Sequence, residues 1–239
     1  MKLFAIDSSG QTASAAILDE NKVIAEYTVD YKLTHSQTLL PMIDQIVQMT
    51  RTDLSEIDAI AIAAGPGSFT GLRIGSATAK GLGLALGRPL ISVPTLEGLA
   101  CCLYGTDGIV CPMMDARRKQ VYTGLYRFDS RGLVVVSDQE ACPVEDILEK
   151  VNETGLPVTF LGDGVPVNTE AIRDKVRVPY RIAPPHLSRQ RAGAVGVRAL
   201  ALASEGRMQT AAEHAPIYLR KSQAERELAR KGGHLPDEN

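Results

Sequence analysis

Apolar residues open the chain in three short runs, Leu3–Ile6, Ala13–Leu18 and Val23–Tyr31, divided by Ser8-Ser9-Gly10-Gln11-Thr12 and Asp19-Glu20-Asn21-Lys22. Turn-forming residues at both breaks predict an antiparallel meander of three strands. The period then lengthens. Leu39, Leu40, Ile43, Ile46 and Val47 recur at helical spacing behind Thr34 or Ser36, either of which can cap the helix, and Thr50–Leu54 breaks the pattern. Asp58–Ala64 predicts a buried strand, with Ile60 and Ile62 among alanines and a Gly-Pro-Gly turn behind it. A second helix is predicted over Thr70–Leu86, closed by Gly87 and Pro89. A strand (Leu90–Val93), a helix (Thr95–Leu103) and two further strands (Gly108–Met114, Gln120–Phe128) continue the alternation. Beyond them, helices are predicted at Val144–Val151 and Ala194–Ser204.

Three antiparallel strands followed by helix, strand, helix, strand is the layout of a ribonuclease-H-like lobe, in which helices cover a mixed sheet. The expected organisation is a first lobe over residues 1–104, a smaller lobe over 105–220 whose last helices return to the first, and a polar, flexible tail over 221–239. The soft boundary falls near Gly105. The tail carries Gly232-Gly233 and Pro236 and almost no apolar residues. No sequence repeat is visible, although two lobes of similar build can hide one.

With 239 residues, 44% hydrophobic and 23% charged, the chain needs neither disulfides nor metal to build a core. Its formal charge of -2 gives no chain-wide attraction to phosphate backbones, so any contact with nucleic acid is local or shared with a partner. Met1–Asp7 is too short an apolar run for a signal peptide, and no stretch approaches the roughly 18 apolar residues of a membrane span. Cytoplasmic location is the expectation. Cys101, Cys102, Cys111 and Cys142 form no Cys-x-x-Cys pair and predict reduced core thiols. The four histidines are scattered singly.

Chemistry has few candidates. Asp7, with Ser8 behind it, ends the first strand where sugar-kinase and actin-like folds hold an acidic residue beside nucleotide phosphates; it is also an ordinary turn residue. Gly65-Pro66-Gly67-Ser68-Phe69-Thr70 is not a P-loop, because the Lys-Ser/Thr ending is absent and Pro66 lacks an amide hydrogen. Ser68 or Thr70 can still cap the following helix, so Gly65, Gly67 and Ser68 read either as a tight turn or as a remnant phosphate contact. Gly71, Gly75, Ala79 and Gly83 then line one side of that helix. Interior glycines each weaken a helix by about 1 kcal/mol, which calls for close packing on the protein's own sheet or against another chain. Met42 and Met49, off the main apolar stripe of the preceding helix, favour the second reading.

The words His35-Ser36-Gln37-Thr38-Leu39-Leu40-Pro41, Gly65-Pro66-Gly67-Ser68-Phe69-Thr70-Gly71-Leu72-Arg73-Ile74-Gly75, Asp115-Ala116-Arg117-Arg118 and Pro216-Ile217-Tyr218-Leu219-Arg220 resemble the TsaB family, over Met1 to about Arg220. The resemblance implies an α/β protein of the actin-like, sugar-kinase-like class with two ribonuclease-H-like lobes. It also implies a non-catalytic scaffold in tRNA threonylcarbamoyladenosine biosynthesis, acting on the adenosine next to the anticodon in tRNAs that read codons beginning with adenine. The partners implied are the catalytic subunit TsaD, which the chain binds and activates, and the P-loop ATPase TsaE, with tRNA reached through the complex. TsaC supplies the threonylcarbamoyl-adenylate. A homodimer on the same surface is implied when TsaD is absent. No cofactor is implied for the chain alone, with ATP or ADP the candidate at the interface of the complex. TsaD carries a His-x-x-x-His metal site where this chain has Thr95 and Leu99, and neither side chain replaces an imidazole, so no catalytic or metal residue is expected here. The implied partner or dimer surface comprises His35, Leu39, Met42, Ile46, Met49, Gly71, Arg73, Gly75, Ala79 and Gly83.

Two other readings stay open. Asp7, the Gly-rich turn and Gly162-Asp163-Gly164 fit a stand-alone ATP-dependent small-molecule kinase. Arg117, Arg118 and Lys119 fit independent tRNA binding, or simply a solvated turn.

Overall fold

The computed structural model describes residues 1–31 and 33–220, so the expected tail lies outside the described residues. The first sheet contains β1 (Leu3–Asp7), β2 (Ala13–Leu18), β3 (Val23–Val29), β4 (Ala59–Gly65) and β5 (Leu90–Pro94), in the order β3-β2-β1-β4-β5. The predicted meander forms, with β1–β2 and β2–β3 antiparallel, and β4 then adds parallel to β1. Because side chains alternate across a strand, Phe4 and Ile6 face one side with Ile17, Ile60 and Ile62, while Leu3 and Ala5 face the other with Ala61 and Ala63. Both faces are covered. This is why β1 and β4 read as unbroken apolar runs.

On the isoleucine side lie α1 (His35–Thr50) and α2 (Phe69–Leu86). Leu39, Ile43 and Ile46 of α1 fill the core there. Thr34 stands at the N-cap of α1 but makes no side-chain capping bond, which corrects the expected cap. Ser68 does cap α2, accepting from Gly71 N at 3.3 Å, and Gly87 at φ 63° ends it in the left-handed conformation that glycine adopts freely. The alanine-rich side is thin, and α7 (Ala192–Ser204) lies across it, with Val195, Ala199 and Leu202 buried against β1, β2 and β5.

The second sheet contains β6 (Ile109–Asp115), β7 (Gln120–Asp129), β8 (Gly132–Pro143), β9 (Val158–Leu161) and β10 (Tyr180–Ile182), in the order β10-β9-β6-β7-β8. Reversed, this is the order of the first sheet: third, second, first, fourth and fifth strand. The internal repeat that the residues conceal is therefore present in the topology. Between β8 and β9 runs α4 (Val144–Glu153), and between β9 and β10 run α5 (Gly164–Val167) and α6 (Thr169–Lys175). The short α3 (Thr95–Ala100) and a 3-10 turn at Cys101–Leu103 lead from one sheet to the other. Glu97 of α3 accepts from Arg198 Nε of α7 at 2.5 Å, with both side chains about nine-tenths buried.

Cys101, Cys111 and Cys142 are buried and Cys102 is half-buried, all four as free thiols. Burial pushes the first three encountered, Cys101, Cys102 and Cys111, up to about 12, which leaves them unreactive. Among the described residues no helix is long and apolar enough to cross a membrane.

Candidate functional site

The β1–β2 loop, Ser8–Thr12, is buried except at Gln11. Asp7 is 1% exposed, and its Oδ1 accepts from Ser9 N at 2.9 Å and Ser9 Oγ at 2.6 Å. Its Oδ2 has no partner among the described residues. Burial raises the carboxyl to about 6, against the opposing pull of the two Ser9 bonds and the His35 charge. Ser8 Oγ donates to Gly71 O at 2.9 Å, and His35 Nε2 donates to Gly10 O at 2.8 Å. The loop is thus tied to the starts of both α1 and α2.

The Gly-rich turn closes on the same loop. Ser68 N donates to Ser9 O at 2.7 Å, Ile217 N donates to Ala64 O at 2.6 Å, and Thr95 Oγ1 accepts from Gly65 N at 3.0 Å. A Cβ on Gly65 would collide with the carbonyl of Ile217, one on Gly67 with the carbonyl of Ser9, and one on Gly71 with the carbonyl of Ser8. Gly65 also sits at φ 124°, a conformation reserved for glycine. These glycines admit the protein's own backbone. The kinase reading is weakened, because the Ser68 amide already donates to Ser9 O and the space beside Gly65 holds Ile217 O. Gly162 repeats the device at the end of β9, where a Cβ would collide with Met113 O.

The row Gly75, Ala79, Gly83 likewise faces inward, Gly75 on Ser8 Oγ and Ile62, Gly83 on Leu90. Leu39, Met42 and Ile46 are 1%, 4% and 3% exposed, so they too are committed to the protein's own interior. This corrects the placement of Met42 off the apolar stripe. His35 is half-buried over Gly10, while Met49 and Arg73 are exposed. The outward faces carry residues that periodicity did not single out: Leu40 (58% exposed) on α1 and Leu84 (73% exposed) on α2, with Ala77 and Gly81 beside it. Between the helices, Leu40, Ile43, Val47, Leu82 and Leu86 line an apolar groove of about 260 Å³.

Where the two sheets meet, a polar cleft of about 490 Å³ is bordered by Gln11, Ser68, Phe69, Asp115, Arg117 and Arg220. The segment Pro216–Arg220 straps its mouth. Tyr218 stacks on Phe69 with centroids 4.0 Å apart, Arg73 lies 4.7 Å from the centroid of the Phe69 ring, and Arg220 Nη1 donates to Ala116 O at 2.8 Å. This assembly is not legible from spacing, because its partners lie about 100 to 150 positions apart in the chain. Thr95 and Leu99 are both buried in structural roles, and no three His, Cys, Asp or Glu side chains among the described residues stand together as metal ligands.

Two lobes of repeated topology with a cleft between them define the actin-like, sugar-kinase-like class. YeaZ from Pseudomonas aeruginosa superposes with a TM-score of 0.78 at 27% identity, covering 91% of this chain and 99% of that one. A family model described as TsaD, tRNA N6-adenosine threonylcarbamoyltransferase, matches residues 22–228. The protein named tRNA threonylcarbamoyladenosine biosynthesis protein TsaB in Bacillus subtilis (strain 168) is 38% identical over 174 residues, 73% of this chain and 76% of that protein. Its namesake in Escherichia coli (strain K12) is 34% identical over 152 residues, 63% of this chain and 65% of that protein. The chain belongs to the TsaB family, within the wider TsaD-like group that the model describes.

Proposed function

We propose that this protein is a non-catalytic subunit of tRNA threonylcarbamoyladenosine biosynthesis that docks on TsaD, together with TsaE, through the outer face of α1 and α2. The observation that carries the reading is the pair of neighbouring helices α1 and α2, which expose Leu40, Met49 and Leu84 at 58%, 76% and 73%, with Leu40 at the edge of the apolar groove between the helices. Large apolar side chains this exposed on two neighbouring helices favour a protein contact. Methionine and leucine around a groove suit the insertion of a partner helix. In the absence of TsaD the same face serves a second copy of the chain. ATP or ADP, if part of the assembly, binds where the two subunits meet and not in the loop filled by Ser9.

The test is threonylcarbamoylation of unmodified tRNA by TsaC, TsaD and TsaE with and without this chain, using Leu84→Arg and Met49→Glu as probes of the face. Both substitutions are at solvent-exposed positions and should leave the melting temperature within about 2 °C, consistent with near-neutral surface changes. TsaD capture and modification should fall at least tenfold. Full modification without the chain, or undiminished capture by both variants, overturns the reading.

A further inference from the structure

Three of the four non-glycine residues with positive φ among the described residues fall in the β6–β7 loop. Arg117, Arg118 and Lys119 stand in succession at φ 66°, 57° and 58°, all in the left-handed region that non-glycine residues avoid. None of the three is buried, and the Arg117 side chain is 87% exposed, so packing does not account for the conformation. Strain at an exposed position points toward a role outside the fold. The loop is held in place from below: Arg117 N donates to Asp115 Oδ1 at 2.8 Å, Gln120 N to Arg117 O at 3.2 Å, and Arg220 Nη1 to Ala116 O. The amides of Arg118 and Lys119 donate to no acceptor among the described residues.

Charge gives the chemistry of the ligand. Arg117 and Arg220 line the cleft with Asp115 and Asp163, and Arg118 and Lys119 continue the exposed loop beyond Arg117, on a chain whose formal charge is -2. Arg117 lies 3.7 Å from Asp115, while Arg118 and Lys119 form no ion pair among the described residues. Phe69, which also lines the cleft, stacks on Tyr218, and Tyr218 is 38% exposed. Cations that follow a backbone next to an aromatic platform are the elements of single-stranded nucleic-acid recognition.

We infer that this loop, with Arg220 and the Phe69–Tyr218 stack, is a direct tRNA contact, the cations and free amides taking phosphates and the stack taking an unpaired base. The inference rests on the proposed role in tRNA modification and adds to it a surface of this chain that touches the RNA. The loop belongs to the second sheet, whereas the proposed TsaD contact uses Leu40, Met49 and Leu84 of α1 and α2, so the two surfaces are tested by different variants.

The experiment is fluorescence anisotropy of labelled, unmodified tRNA titrated with the full-length chain, alone and in complex with TsaD, between about 50 and about 200 mM salt. The variant R117N/R118N/K119N removes the charge while keeping a residue that tolerates the left-handed region. It should weaken binding at least tenfold at low salt and lower the log–log salt slope by about 2, as expected for losing two to three phosphate contacts. Arg118→Lys should retain the slope. Tyr218→Ala should weaken binding about fivefold or more with the slope unchanged, as loss of base stacking requires. Unchanged affinity and slope in the triple variant, or no tRNA binding by the wild type in either form, overturns the inference. So does preferential binding of a polyglutamate peptide, which would make the loop a site for an acidic protein. TsaD capture is measured on the same variants: capture lost by the outer-face variants alone leaves this inference standing, and retained capture with unchanged tRNA binding in the triple variant refutes this inference alone.

Discussion

Two loops occupy equivalent places in the two sheets, and the protein treats them in opposite ways. Each follows the first strand of its sheet, begins at an aspartate (Asp7 or Asp115) and leads into an antiparallel neighbour. In the first lobe the loop is small and polar, Ser8-Ser9-Gly10-Gln11, and it is clasped by Gly67, Gly71, Gly75, His35 and Gln190. In the second lobe the loop is Ala116-Arg117-Arg118-Lys119, exposed and left-handed. One half of a duplicated plan has closed its loop into the core, and the other has turned it into a charged surface. A position inherited by topology does not carry its chemistry with it.

The comparison is open to direct attack, most severely at Gly75. A leucine there has no room between Ser8 and Ile62, so Gly75→Leu should cost about 3 kcal/mol or more, as read by urea denaturation. Wild-type stability with lost partner binding would instead mean that the row faces a partner and that the inward packing described here is wrong.

A smaller effect is expected at Asp7. Its carboxyl is raised to about 6 from an ordinary 3.8, so the folded state binds the proton more tightly than the unfolded chain does. The ionised group therefore destabilises the protein, with a penalty that grows from about pH 4 to pH 6 and is full above that. Asp7→Asn should stabilise by about 1–3 kcal/mol at pH 7–8 and by nothing below pH 4. Denaturation midpoints at pH 4, 6 and 8 decide it, and a destabilised variant at pH 8 would show that the charge has an attractive partner.

The smallest effect belongs to the second loop. Relief of a left-handed residue is worth about 1–2 kcal/mol, from which glycine's extra freedom in the unfolded chain subtracts about 0.5–1. Arg118→Gly should then raise the melting temperature by about 2 °C, given about 2–4 °C per kcal/mol for a chain of this size. A lowered melting temperature would mean that the arginine side chain holds the loop together.

Much of the fold was legible from period alone. The strands at Ala13–Leu18 and Leu90–Val93 and the helix ending at Leu86 agree with the structure to within a residue, because continuous apolar runs and helical stripes each have one stable burial. The misses fall in the second lobe, and each has a cause. In β8 the apolar half Leu133–Val136 is followed by Ser137-Asp138-Gln139-Glu140, since it is an edge strand with one neighbour; β9 has only four residues; all three residues of β10 are exposed. An edge strand half in solvent does not display the pattern of a buried one.

The candidate site divides in the same way. Residue types and spacing by themselves marked Asp7, the Gly-Pro-Gly turn and the glycine row as unusual, and the sequence words located the family, because tight turns and bare helix faces need glycine whatever surrounds them. Which way the row faces was decided only in three dimensions. Ser8, Ser9 and Ile217 bring their carbonyls and hydroxyl to those glycines from positions up to about 150 residues away, and Arg220 reaches Ala116 across the cleft. A glycine records that something approaches closely; only the folded chain determines what, since local spacing carries no information about which distant backbone will fill the gap.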